Sequence, residues 1–380
     1  MKRMICIAAV LLLLLPGRAQ AAELAAGGKS ACLMDVATGT ILYESNSHEK
    51  LAPASVTKVM TLLLIMEAID TGRIGWEDTV TASETAAAKG GSQVYLKVGE
   101  TMTVSDMVKS IAVSSANDCA CAMAEHLAGS EAAFVEQMNQ RAKELGMQDT
   151  NFVNCTGLDD DAAAADHKTS AHDIAVMSRE LMKNHPDIKK YTTIWMDTLR
   201  NGSFGLSNTN KLVRFYPGAT GLKTGFTAKA GYCLSATAER EGMELVAVVM
   251  GAKTSAERFS VCKSLLDYGF ANYALVSPQT EEGYVPVTMG VADQVKAVPA
   301  EDATLLIEKA QKHMVTIKTE LDESVKAPVS RGQKLGVMTV QAGEHILKQI
   351  PLVAEEGVAR LSFASLWEQV LRALTMSAKK

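Results

Sequence analysis

The chain has 380 residues, of which 47% are apolar, 5% aromatic and 21% charged, with a formal net charge of −5. That length is ample for a large hydrophobic core and suits two domains. The acidic balance, with no basic stretch able to track phosphates, argues against nucleic acid as a partner.

In chain order, residues 1–21 read first as a secretory signal. Lys2 and Arg3 supply the positive start, Ile5 to Leu15 the apolar stretch, and Ala19-Gln20-Ala21 the small-x-small cleavage site. The apolar run is shorter than the ~20 residues a membrane span needs. Cleavage removes Lys2, Arg3 and Arg18, taking the net charge from −5 to −8. Cys6 leaves with the signal, and Cys32, Cys119, Cys121, Cys155, Cys233 and Cys262 remain. Their mostly apolar neighbours favour buried, reduced thiols over a disulfide framework, which a chain of this size does not need. Cys119 and Cys121 stand two apart in a predicted helix, so they should face different sides rather than pair.

Alternation predicts a β-hairpin near Ala31–Asp35 and Ile41–Glu44, turning at Ala37-Thr38-Gly39-Thr40. Ser55 to Ile69 is apolar all round, which predicts a buried helix stopped at Gly72. Thr101 to Leu127 carries two helical patterns that break at Ser115-Ala116-Asn117. Ser130 to Leu145 predicts an amphipathic helix ending at Gly146. Asn154 to His167 reads as a polar loop. Thr169 to Asn184 predicts a helix capped by Thr169 or Ser170, with Asp173 in its first turn. Lys223–Thr227, Gly231–Glu239 and Leu245–Gly251 read as strands, and Arg258–Tyr268 is helical again. Strands at both ends with helices between predict an α/β (α+β) domain over residues 22–276, its sheet built from both termini.

Composition shifts at residues 277–283, a predicted linker. Residues 284–361 read as a small all-β domain, with strand-like Val315–Thr319 and Val337–Val340 and turns at Gly332, Gly336 and Gly343. Over residues 362–380, Phe363, Leu366, Trp367, Val370, Leu371 and Leu374 form one apolar stripe on a short amphipathic helix. It reads either as a helix docked on the protein or as an interfacial anchor, and Arg372, Lys379 and Lys380 against the lone Glu368 favour the anchor.

Three short motifs carry the chemistry: Ser55-Val56-Thr57-Lys58, Ser115-Ala116-Asn117 and Lys223-Thr224-Gly225. Other S-x-x-K strings begin at Ser47, Ser260 and Ser377, but Ser55 follows Ala52-Pro53-Ala54 and heads the apolar run. Residues three apart place hydroxyl and amine on one helical face, and a helix start favours developing negative charge. A free lysine, with a pKa near ~10.4, is a poor base at neutral pH. Burial around Val59 and Met60 would lower it, and so would a second cation, for which Lys223 is the candidate. Taken singly, Ser55 could be an ordinary N-cap with Lys58 solvated, and Ser115, Asn117 and Asp118 could be a helix cap. A phosphate loop at Gly218–Gly225 fails because Leu222 stands between Gly221 and Lys223. A strand edge that pairs with an extended peptide fits better, with Gly225 permitting close approach of the substrate backbone.

The order and setting of these motifs resemble the penicillin-binding/serine β-lactamase superfamily, and within it the low-molecular-mass D-alanyl-D-alanine carboxypeptidases, over nearly the whole mature chain. The resemblance implies a β-lactamase-like domain, an antiparallel sheet flanked by helices, and removal of the terminal D-alanine from peptidoglycan stem peptides through an acyl-Ser55 intermediate. It makes Lys58 the base and Ser115 the proton relay between Lys58, Lys223 and the leaving amine. Asn117 would hold the substrate amide and brace Lys58. Lys223 and Thr224 would bind the terminal carboxylate, and the backbone N–H groups of Ser55 and Phe226 would form the oxyanion hole. Phe226 is bulky where some relatives carry His. Arg258 would either steer the carboxylate or sit solvated on a helix face, and His167 would be structural. β-Lactam antibiotics are implied as covalent inhibitors, and the outer face of the cytoplasmic membrane or the cell-wall compartment as the location. No cofactor is implied, and the seven His residues form no HExxH or clustered ligand set.

A β-lactamase is the second reading. One large group of those enzymes uses a loop Glu, whereas the Asn154–His167 loop carries Asp159, Asp160, Asp161 and Asp166, and Glu180 falls in a predicted helix. A catalytically idle cell-wall binding protein is the third, disfavoured by three intact motifs. Because Cys119 and Cys121 follow Asn117 closely, one of them is expected to border the site and to make acylation sensitive to a bulky thiol reagent.

Overall fold

The computed structural model describes residues 24, 25, 27–160, 162–278, 283–363 and 367. The predicted signal, most of the predicted linker and most of the terminal apolar stripe lie outside the described residues. The described residues form two compact units, divided in sequence between Ala271 and Asn272.

The first unit is built on a five-stranded antiparallel sheet of β1 (Ser30–Asp35), β2 (Ile41–Ser45), β3 (Ala219–Thr227), β4 (Gly231–Arg240) and β5 (Met243–Ala252), in the order β2-β1-β5-β4-β3. The two ends of the unit's chain join in the β1–β5 ladder, from Ser30 opposite Met250 to Asp35 opposite Leu245. This is the sheet from both termini that the strand pattern predicts. β5 is buried at every position, the physical meaning of its unbroken apolar run. β3, which carries the K-T-G motif, is an edge strand.

The helix α1 (Lys58–Asp70) is wrapped by α2 (Val104–Ser114), α3 (Asn117–Ala128), α4 (Glu131–Glu144) and α5 (Ala171–Asn184), and α5 also packs on β1 and β5. An apolar side chain on every face of α1 can be buried because it has neighbours on every face. Side-chain oxygens of Thr103, Ser130 and Ser170 accept from the backbone N–H groups of Asp106, Ala133 and Asp173, capping α2, α4 and α5. Ser170, not Thr169, is therefore the cap of α5, while Thr169 bridges to Leu51. The helix α6 (Ser255–Asn272) begins three residues before Arg258 and lies on the sheet at Gly269, where a Cβ would come within 2.4 Å of Leu245 Cδ1.

The second unit holds the six strands β6 (Gly283–Thr288), β7 (Gln294–Pro299), β8 (Val315–Leu321), β9 (Val325–Lys326), β10 (Lys334–Ala342) and β11 (His345–Ala354), ordered β8-β10-β11-β7-β6-β9. Its core is Val285, Val295, Leu335, Met338, Val340 and Ile350. Tyr273–Val276 and Leu305–Glu308 add a two-stranded ladder.

Candidate active site

The helix expected to start at Ser55 opens instead as a 3-10 turn over Ala54–Thr57, and regular α-helix begins at Lys58. The difference matters chemically. In a 3-10 turn, side chains three apart eclipse one another. Lys58 Nζ thus donates to Ser55 Oγ at 3.0 Å and to the Thr156 carbonyl at 2.8 Å. Lys58 is fully buried. Burial lowers its amine to about 7, against an opposing pull from the Cys155 and Asp118 side chains.

Several residues that the motifs do not contain hold this turn. Val153 N–H donates to His167 Nδ1 at 3.2 Å, which leaves Nε2 to donate to Thr57 Oγ1 at 2.8 Å. Thr57 Oγ1 in turn donates to the Ala54 carbonyl at 2.9 Å. His167 is structural, as expected. Gly157 has φ +82°, and a Cβ there would lie 1.9 Å from the Ala54 oxygen. At Gly225 a Cβ would lie 2.7 Å from the Pro53 oxygen and 3.1 Å from Ser55 N. The lack of a side chain at Gly225 therefore admits the protein's own serine turn.

Ser115 ends α2 in the left-handed region, φ 65° and ψ 30°, a conformation that costs ~1–3 kcal/mol off glycine. Its Oγ is buried without a hydrogen-bond partner. Asn117 opens α3, its N–H donating to the Ser92 carbonyl and its Nδ2 to the Gly90 carbonyl, both at 2.7 Å. Its Oδ1 is buried and unpartnered. Asn117 does not brace Lys58, as was expected of it; the Thr156 carbonyl takes that place.

Lys223 is 1% exposed, and its Nζ donates to the Thr224 carbonyl at 3.1 Å. Burial, then the charges of Lys58 and Arg258, push its pKa well below the ordinary lysine value. Burial is the first cause of the shift at both lysines, and the repulsion between them acts in the direction expected of a second cation. Thr224 Oγ1 donates to Thr209 Oγ1 at 2.7 Å, and Thr209 N–H donates to the Val113 carbonyl, tying β3 to the end of α2 beside Ser115. Phe226 is 53% exposed and stacks on Tyr232 with ring centroids 4.2 Å apart. Arg258 is buried, not solvated. Its Nη1 donates to the carbonyls of Gly225 at 3.0 Å and Cys233 at 3.4 Å, while its Nε has no partner.

A further brace lies behind the motifs. Glu131, the first residue of α4, accepts from Lys89 Nζ at 2.5 Å on one oxygen, and on the other from Cys155 N–H at 3.2 Å and Cys155 Sγ at 3.1 Å. Burial raises its carboxyl, but these bonds outweigh it and hold the group below the usual range. The pair Lys89–Glu131 thereby joins the loop that grips Asn117 to the turn whose Thr156 carbonyl grips Lys58. Nothing in the sequence pattern marks either residue.

All six described cysteines are buried and free. Cys121 Sγ reaches towards Glu125 Oε1 and Glu131 Oε2, each at 4.0 Å, whereas the Cys119 thiol lies beside Ser110, so the two do face different sides. Both are 0% exposed, which leaves a bulky thiol reagent no path to either and corrects the expected sensitivity.

The assembled geometry pairs a hydroxyl with a buried amine poised near neutrality, the arrangement that activates a serine nucleophile. Beside it, Ser115 Oγ, Asn117 Oδ1 and Arg258 Nε are three of the six buried side-chain polar atoms without partners among the described residues. Such atoms are costly unless something else binds them.

Residues 17–254 match the D-alanyl-D-alanine carboxypeptidase family, and residues 270–360 match the C-terminal domain of penicillin-binding protein 5. The chain belongs to the D-alanyl-D-alanine carboxypeptidase family, serine hydrolases of the penicillin-binding class. It is 41% identical over 357 residues to the D-alanyl-D-alanine carboxypeptidase DacF of Bacillus subtilis, covering 92% of this chain and 90% of that one. Penicillin-binding protein 5 of Haemophilus influenzae is 30% identical, with a TM-score of 0.74 over 88% of this chain and 98% of its own. Penicillin-binding protein D2 of Listeria monocytogenes, solved in an ampicillin-bound form, is 32% identical, with a TM-score of 0.58 over 64% of this chain and 98% of its own.

Proposed function

We propose that the chain removes the terminal D-alanine of peptidoglycan stem peptides, with Ser55 as nucleophile and Lys58 as base. The observation that carries this assignment is the 3.0 Å bond between Ser55 Oγ and a buried Lys58 amine lowered to about 7. Neutral Lys58 takes the Ser55 proton as Oγ attacks the penultimate carbonyl carbon, and the backbone N–H groups of Ser55 and Phe226 receive the oxyanion. Ser115 passes a proton to the leaving D-alanine nitrogen as the C–N bond breaks, giving acyl-Ser55. Water, deprotonated through Lys58, then cleaves the ester and releases the shortened peptide. Asn117 Oδ1 is free to accept from the substrate amide. The substrate carboxylate supplies the anion that buried Lys223 lacks, aided by Thr224. Arg258 fixes the β3 backbone at Gly225 and adds positive charge there. β-Lactams acylate the same serine.

Intact-mass measurement after incubation of residues 22–380 with benzylpenicillin tests the reading. The expected result is a persistent adduct of one whole drug mapping to Ser55, absent in Ser55→Ala, together with D-alanine release from a D-Ala-D-Ala peptide. Drug hydrolysis without an accumulating adduct would make the protein a β-lactamase. Neither adduct nor hydrolysis would leave a wall-binding protein.

The same reading places the chain outside the cytoplasmic membrane, exported by residues 1–21 and held at the lipid surface by residues 362–380. The apolar stripe of that segment supports it, and so do Phe363 and Trp367, 85% and 60% exposed. Deleting residues 362–380 should abolish co-sedimentation with liposomes.

A further inference from the structure

In the second unit, β6 and β7 are joined by a turn over residues 289–293. The start of this turn pairs antiparallel with residues 359–361. Gly290 bridges Arg360, Leu361 N–H donates to the Met289 carbonyl at 2.8 Å, and Val291 N–H donates to the Ala359 carbonyl at 2.9 Å. Met289 has φ 59°, a left-handed conformation that residues other than glycine rarely adopt. It is 53% exposed, and Val291 is 42% exposed. The turn is firmly seated. A Cβ at Gly290 would come within 2.6 Å of Val287 Cγ1 and 2.9 Å of Val358 Cγ1, both in the core of the unit. Backbone strain and apolar exposure each cost free energy, and strain of this kind gathers at functional segments. Lys326, paired with Thr288, and Arg360 border the tip and are exposed; Asp293 is the acid within the turn.

The lipid-surface reading of residues 362–380, on which this inference rests, gives the tip its occupant. Residues 359–361 run directly into that segment, and exposed Phe363 stands two residues, at most about 7 Å, beyond Leu361. A surface that takes up Phe363 therefore comes against Met289 and Val291 as well. We propose that the β6–β7 turn is a second point of membrane insertion. Met289 and Val291 enter the interface of an anionic bilayer beside the terminal segment, and Lys326 and Arg360 meet its headgroups. One segment lying in the interface leaves the second unit free to tilt, whereas two adjoining points fix its orientation. Ile346 supplies an internal control. It is 59% exposed but lies at the start of β11, whereas the chain reaches the tip from the end of that strand.

The test uses residues 22–380 and vesicles of phosphatidylglycerol and phosphatidylcholine in equal parts. The double variant Met289→Ser/Val291→Ser should weaken co-sedimentation about tenfold. Ile346→Ser should leave it unchanged, and both should keep the parent's benzylpenicillin acylation and melting midpoint. Because the six described cysteines are buried, Met289→Cys and Ile346→Cys can each be labelled at one site with a polarity-sensitive dye. On vesicle addition the dye at position 289 should shift to the blue and be quenched by brominated lipid chains, and the dye at position 346 should do neither. A dye at position 289 that stays in water while the protein is bound, or a double variant that binds as the parent does, would overturn the insertion point and leave the terminal anchor standing. A parent that is dimeric where the double variant is monomeric, with equal vesicle binding, would give the tip to a second copy of the chain and overturn it too. A parent that does not sediment with vesicles at all would remove the lipid-surface reading, and this inference with it.

Discussion

Two clusters of charged side chains in the first unit teach opposite lessons. Around Arg141, Glu67 accepts from Nε and Glu180 from Nη2, each at 2.7 Å, while Asp70 meets His185 at 2.5 Å. Beside it lies an open hollow of about 680 Å³. Ligand atoms of Glu67, Glu180 and His185 lie within 4.8 Å of one another, a spacing a metal ion could accept. Yet Arg141 already satisfies both glutamates. Burial lowers its pKa, but Glu67 and Glu180 outweigh that and hold it above the ordinary value. Around Ser55 the same burial acts on Lys58 and Lys223 with no carboxylate in hydrogen-bond contact, and both are lowered. Charge and cavity size do not separate a site from a brace. Unpartnered polar atoms gathered beside a buried amine do, and Glu180, held by Arg141, is structural and unable to serve deacylation.

The sharpest way to break the contrast is Lys58→Met. Acylation by benzylpenicillin should fall by ~10³. The unfolding midpoint should hold or rise, because an amine buried without a counter-ion is removed. A large loss of stability would show Lys58 to be a brace. The pH dependence follows with its sign. Neutral Lys58 is the active form, so the acylation rate should climb through about pH 7 and fall about tenfold per unit below it. The folded amine also releases its proton at about 7, against an ordinary 10.5. The unfolded chain thus binds more protons between those values, and the Lys58 contribution to stability grows with pH across that window. A rate flat between pH 5 and 8 would remove Lys58 as base. Arg141→Met should do the reverse, leaving acylation unchanged and lowering unfolding free energy by ~1–3 kcal/mol in a denaturant titration.

The sequence made these two clusters unequally legible. Ser55, Lys58, Ser115, Asn117, Lys223 and Thr224 could be named because nucleophile, base and receptor residues recur in short strings at fixed spacing. The fold class was legible for a similar reason: the periodicity of α1 and the unbroken apolar run of β5 are local properties. What stayed hidden depends on contacts between distant segments. The Thr156 carbonyl that replaced Asn117 as the brace of Lys58 has no side-chain signature. The approach of Pro53 and Ser55 to Gly225 had no local signature because it is set by tertiary packing. Arg258 could be read either as steering the carboxylate or as solvated, because the strand carbonyl it grips is 33 positions away. The switch from α to 3-10 at Ser55 was also beyond the pattern, since both helices satisfy an i, i+3 spacing.

The finest test of the comparison is Glu131, which is charged and fully partnered like Arg141 yet adjoins the site. If partnering alone decided role, Glu131→Gln would cost stability and spare the chemistry. Its bonds say otherwise, since they join the loop holding Asn117 to the turn holding Lys58. A glutamine side chain in its place would keep an acceptor for the Cys155 N–H but lose the charge that holds Lys89. The expected outcome is a three- to tenfold fall in acylation rate (~1 kcal/mol), with a displaced pH midpoint because Lys58 sits differently. Glu131→Asp should restore part of both. The carboxyl is held below its usual range, so the stabilisation it contributes is present at neutral pH and is lost as pH falls through that lowered value. A variant that melts earlier but keeps the parent acylation rate and pH midpoint would place Glu131 with Arg141. A moved midpoint would show that a satisfied charge can still set the poise of an unsatisfied one.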